Sequence, residues 1–169
     1  MKNTNLNESF NERLQLYEHL WQEGAPYSAV KRLAEIFYCL PQLDEAGRAK
    51  WMDQLWKEDL PDNIVQVVVA GIEKDAQRIR RILSVGSKWN DDELLLVLQL
   101  KIEIEMLLAF LKRRYSHIPS SSFDDIDEDL TRIARSKENK RDFERAVSLM
   151  VKNWGLPIDI KWLRSDLSL

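Results

Sequence analysis

Apolar residues recur along most of this 169-residue chain at helical spacing, and Gly, Pro or clustered polar residues stand between the periodic runs. The longest run is Asn90 to Tyr115, NDDELLLVLQLKIEIEMLLAFLKRRY, which contains no Gly or Pro. Two periods compete in it. Leu98, Leu100, Ile102, Ile104 and Met106 alternate with Gln99, Lys101, Glu103 and Glu105, the pattern of a half-buried strand over about 96–105. The ends argue for a helix instead. Asn90 with Glu93 forms a capping-box-like start, Asp91 and Asp92 suit the positive end of a helix dipole, and Lys112, Arg113 and Arg114 suit the negative end. At about 100° per residue, Val97, Leu100, Ile104, Leu107, Leu108, Leu111 and Tyr115 share one face, and Leu95, Leu98, Ile102, Met106 and Ala109 a second. Thin polar seams, Lys101 with Glu105 and Gln99 with Glu103, lie between them. A helix apolar on two sides packs on two sides, so 91–115 is predicted to be a central helix.

The other runs predict further helices. Ser9 and Glu12 open one that carries Phe10, Leu14, Tyr17, Leu20 and Trp21 and stops at Gly24, behind a disordered lead over 1–7. Pro26 opens a second, with Val30, Leu33, Ala34, Phe37 and Leu40 buried, closed by Pro41. A third covers about 44–58. The β-branched stretch 64–70 suits a strand when taken alone. However, Ile64, Val65, Val68, Val69, Ile72, Ala76, Ile79, Ile82 and Leu83 keep one continuous helical face, so a fourth helix ending at Gly86 is expected. Beyond a Ser-rich linker at 119–122, helices are expected around Ile126–Ile133 and Phe143–Trp154, with an amphipathic tail over 158–169. The predicted fold is an all-α, single compact bundle of seven or eight helices over 8–169. Within it, a body (8–117) precedes C-terminal helices (123–169).

Composition supports a folded, globular chain: 44% hydrophobic, 31% charged, with six Trp. The net charge of −3 argues against a dedicated DNA-binder. One Cys, Cys39, excludes a disulfide framework and a Cys-based zinc site. The polar start and the lack of a long apolar span predict a cytoplasmic protein of bacterial style with no membrane partner.

Candidate chemistry is sparse. Asp125, Asp127 and Asp129 have the spacing that opens a calcium loop, but Leu130 stands where the turn needs Gly and Ser136 where a bidentate Glu is needed. No metal or other cofactor is expected. Arg113 and His117 resemble the motif of helical ribonucleases of the HEPN superfamily, an Arg followed by a His after four to six residues. Three residues intervene here, and Lys112 stands where an Arg would give four. The resemblance implies metal-independent RNA cleavage at a dimer interface with His117 as general acid or base. His19 is expected to be structural.

The surface features are clearer. Lys74, Arg78 and Arg81 fall at i, i+4 and i+7, opposite the apolar face of the fourth helix. An acidic segment contains Asp124, Asp125 and Asp127. Trp51 and Trp56 are five residues apart and diverge by about 140°, so one is expected at the surface. The favoured reading is a non-enzymatic protein that binds another protein through these residues, as an adaptor, inhibitor, immunity or assembly subunit. The alternative is a nucleic-acid-binding subunit of a ribonucleoprotein or defence assembly. A homo-oligomer is expected if one apolar face of the central helix stays uncovered.

Overall fold

The computed structural model describes residues 2–58, 60–61, 63–86, 88–115 and 123–154, with side chains from residue 5 onward. These form seven α-helices: α1 (Lys2–Gln22), α2 (Pro26–Cys39), α3 (Glu45–Lys57), α4 (Ile64–Ser84), α5 (Asp91–Arg114), α6 (Asp124–Arg135) and α7 (Lys140–Asn153). A short 3-10 turn, Leu40–Gln42, carries Pro41. The protein is all-α, with no strand among the described residues. The strand alternative at 96–105 is therefore replaced by helix. None of these helices is long and apolar enough to cross a membrane. The Ser-rich linker and the amphipathic tail lie outside the described residues.

The chain divides into two compact units, each entered twice. Unit 1 is Met1–Ile72 with Glu103–Pro119, and unit 2 is Glu73–Ile102 with Ser120–Leu169. Two of the three divisions fall inside α4 and α5.

Unit 1 is built on the α1–α2 pair. Gly24 joins them at φ 77°, a left-handed conformation that Gly adopts without a Cβ clash. Phe10, Leu33, Ile36, Leu55 and Phe110 are fully buried. α1 begins seven residues earlier than the Ser9 start expected from sequence. The reason is tertiary: Leu6 is buried, and the Trp51 indole N–H donates to Asn7 Oδ1 at 2.6 Å. Asp44 caps α3 by accepting the Gly47 N–H at 2.7 Å. At the other end of α3, the Arg114 guanidinium donates to the Leu55 carbonyl at 3.0 Å and the Glu58 carbonyl at 2.6 Å. It thereby gives the Glu58 carbonyl a donor and the Leu55 carbonyl a second one, beside the Glu58 N–H at 3.4 Å. Gly71 packs so closely on the Tyr27 ring that a Cβ there would overlap it. Cys39 is buried at the end of α2, and burial pushes its thiol up to about 12.

In unit 2, Leu94, Leu98, Ile102, Ile126, Leu130, Phe143 and Met150 are buried. Asn90 caps α5 as expected, its Oδ1 accepting the Glu93 N–H at 2.8 Å. Gly86, at φ 83°, ends the turn after α4, and the Trp89 indole donates to the Ile82 carbonyl at 2.9 Å.

α5 is buried on both of its expected apolar faces, Leu98, Ile102 and Met106 as well as Leu100, Ile104 and Leu107. Self-association through an uncovered face of this helix therefore loses its basis. One seam position also departs from expectation: Lys101 is buried, not solvated.

Candidate functional site

The two surface features singled out in unit 2 behave differently. Along the acidic segment, three carboxylates each meet a cation of the same unit. Asp125 takes the Arg80 guanidinium in two hydrogen bonds, 2.8 and 3.1 Å. Asp127 meets Lys101 Nζ at 2.8 Å, and Asp129 meets Arg132 at 2.8 Å. The three carboxylates thus diverge to three partners and do not converge on a shared ligand. No group of three or more metal-ligating side chains occurs among the described residues. The Arg80 contact holds the Asp125 carboxyl below the usual carboxylate range, chiefly through the hydrogen bond itself. Asp124 is exposed at the start of α6, where a negative charge favours the helix dipole.

Lys74, Arg78 and Arg81 are all exposed, and none forms an ion pair among the described residues. They share one stripe of α4, whereas Arg80 projects from the side that reaches Asp125. The remaining exposed positions of α4 are Gln66, Ala70, Gln77 and Ser84, so the solvent face carries three cations and no anion. Just beyond the helix, Val85 continues the i, i+4, i+7, i+11 spacing and is 68% exposed. Val85 was not anticipated, because the apolar pattern was read only as far as the core required.

In unit 1 the two tryptophans separate as expected. Trp51 is 5% exposed, with its ring edge-on to Phe10 at 5.2 Å. Trp56 is 40% exposed. It stacks on Phe37 at 6.2 Å, meets the edge of Phe110 at 6.1 Å, and lies 5.5 Å from the Arg114 guanidinium. An aromatic held rigidly on one side and open on the other has the make-up of an interface anchor.

Unit 1 also buries charge. Glu35 contacts Arg13 at 3.0 Å and Arg32 at 2.9 Å, while Lys31 meets Glu103 at 2.9 Å. Burial raises the Glu35 carboxyl above its ordinary range, against the pull of the two arginines. This cluster was not read from the sequence, since Arg13 and Glu35 stand on different helices.

His117 lies outside the described residues, while Arg114, three positions before it in sequence, is committed to the end of α3. His19 is exposed on α1. No protein-family model matches this chain, and neither does any curated protein or solved structure.

Proposed function

We propose that this protein has no chemistry of its own and works by binding another protein, with the α4 row of Lys74, Arg78 and Arg81 as the principal contact. One observation carries the reading. Three carboxylates of the acidic segment, Asp125, Asp127 and Asp129, are matched within unit 2, yet these three cations have no acidic partner among the described residues. A row of unmatched cations fits an anionic surface, and an exposed valine at its end fits an apolar side chain there. Trp56 is the second, smaller contact. Adaptor, inhibitor, immunity and assembly roles all use such faces.

A nucleic acid also presents an anionic surface, and the unmatched row supports that second reading. Val85 tips the balance, since an aliphatic side chain gains little against a phosphate backbone. Exposed ion pairs contribute only about 0.2–1 kcal/mol each, so three of them with one apolar contact give a short acidic peptide an affinity on the order of 1 mM.

Fluorescence anisotropy tests this with a labelled helical peptide bearing Glu at i, i+4 and i+7 and a Leu one turn on. Binding is expected for the native chain and loss for K74E/R78E/R81E. RNA is the competing probe. Binding to single-stranded or duplex RNA tighter than ~10 µM at physiological salt, abolished by the same substitutions, reverses the ranking.

A further inference from the structure

α4 is not alone in showing a face of one sign. On α1 and the turn after it, the exposed positions include Glu8, Glu12, Leu16, His19 and Glu23. At about 100° per residue they fall within a stripe about 80° wide, and exposed Glu18 lies about 80° beyond its edge. None of the four glutamates forms an ion pair among the described residues. Arg13, the cation within this run, turns instead to buried Glu35. Leu16 is 41% exposed in the middle of the stripe. The chain therefore carries an acidic helix face with an exposed leucine and a basic helix face with an exposed valine.

We propose that the partner of the α4 row is the α1 face of a second copy of this chain, an inference that rests on the binding role proposed for α4. The spacing supports it. With Leu16 of one copy beside Val85 of the other and the helices running parallel, Glu12 and Arg81 each lie four residues, about 6 Å, from that anchor. Glu8 lies about 12 Å from it and Arg78 about 10.5 Å, a mismatch that long side chains absorb. Antiparallel helices anchored on the same pair bring His19 near Arg81, which offers no matching negative charge. They match one pair instead of two, Glu23 with Arg78, each seven residues from the anchor. The parallel arrangement is therefore the favoured one. Because the contact joins two unlike faces, the assembly closes as a pair or ring, or continues as an open chain.

Sedimentation of the full chain tests this through a charge swap. One variant reverses α4 (K74E/R78E/R81E), one reverses α1 (E8K/E12K), and a third combines them. All substituted side chains are exposed, so the circular dichroism of each variant should match the native chain. At roughly 1 mM the native chain should associate, as an affinity on that order requires. Its mean mass should fall between about 0.1 and about 1 M salt, as the screening length shortens from about 10 to about 3 Å. Each single-face variant should be monomeric alone. An equimolar mixture of the two should associate, because the native α1 of one meets the native α4 of the other, and the combined variant should recover self-association.

A native chain that stays monomeric overturns the inference, as does a folded mixture that fails to associate, or single-face variants that associate like the native chain. The acidic peptide separates the two levels of the argument. If the chain is monomeric but binds the peptide through α4, only the second-copy inference fails. If it does neither, both fail.

Discussion

In unit 1 the buried charge is the Glu35 carboxyl, held by Arg13 at 3.0 Å and Arg32 at 2.9 Å, with both cations nearer the surface. In unit 2 it is the Lys101 ammonium, which meets Asp127 at 2.8 Å, with the acid nearly half exposed. The two units are thus mirror images in which partner lies inside. Taking a charge out of water is costly, and removing its counter-charge leaves that cost without compensation. A carboxyl raised by burial has a way out, because it can take up a proton and become neutral. Its cations also lie near enough to water to be hydrated. The position of the charged groups within a pair therefore matters more than the number of pairs.

The largest expected effect comes from removing the outer acid of unit 2. Asp127→Asn should lower the unfolding free energy by about 2–3 kcal/mol, somewhat under the ~3–5 kcal/mol of a fully buried pair because Asp127 is half in water. Urea denaturation measures it, and hydrogen exchange should quicken in α6. Adding Lys101→Met should recover most of the loss, since an uncharged chain of similar shape needs no counter-charge. A loss below ~1 kcal/mol, or no recovery, would break the contrast.

Glu35→Gln should cost less, about 1–2 kcal/mol, the scale of hydrogen bonds made to charged groups. Faster exchange should appear in α1 and α2 and leave α6 unchanged. The two variants together locate each pair in its own unit.

Changing the pH sharpens the comparison by sign. The Glu35 carboxyl is raised from its ordinary 4.5, so its contribution is full below about pH 4.5 and is lost as pH rises through the raised value. Asp125 is lowered from 3.8, so its contribution is full above that pH and is lost as pH falls through the lowered value. The advantage of the native chain over Glu35→Gln should shrink on going upward from pH 4.5. Its advantage over Asp125→Asn should shrink on going downward from 3.8. Denaturation series on the three proteins check both slopes.

Arg80→Ala should have the smallest effect, at most about 1 kcal/mol, because its bidentate partner Asp125 is well exposed. A larger loss would show that the cation's place over the Phe123 ring, 5.9 Å away, contributes as well.

Much of the helical order was legible because local signals agreed. The α5 run has an Asn cap, acids at one end and bases at the other, and α4 keeps its apolar stripe despite its β-branched start. What escaped were contacts between residues far apart in sequence. Lys101 reads as a seam residue until α6 brings Asp127 to it. Arg114 reads as a solvated end charge until the end of α3 meets it. The basic row of the candidate surface was visible from its spacing, whereas its lack of acidic partners was not. That required knowing where Arg80 and Asp125 go. The acidic stripe of α1 was missed for a simpler reason: a helix starting at Ser9 leaves Glu8 outside it. Only the Asn7–Trp51 hydrogen bond and buried Leu6 show that the helix begins earlier.

The burial of Cys39 makes this chain its own stopwatch. It is the sole cysteine among 169 residues, and its thiol is held at about 12, so the reactive thiolate is scarce at neutral pH while α2 stays packed. A thiol reagent such as Ellman's disulfide then reports openings of unit 1, one coloured product per chain. Where reclosing outpaces labelling, the rate gives the population of the open form; where labelling is faster, it gives the opening rate itself. Either regime follows the breathing of one unit in real time, with no label added to the protein beforehand.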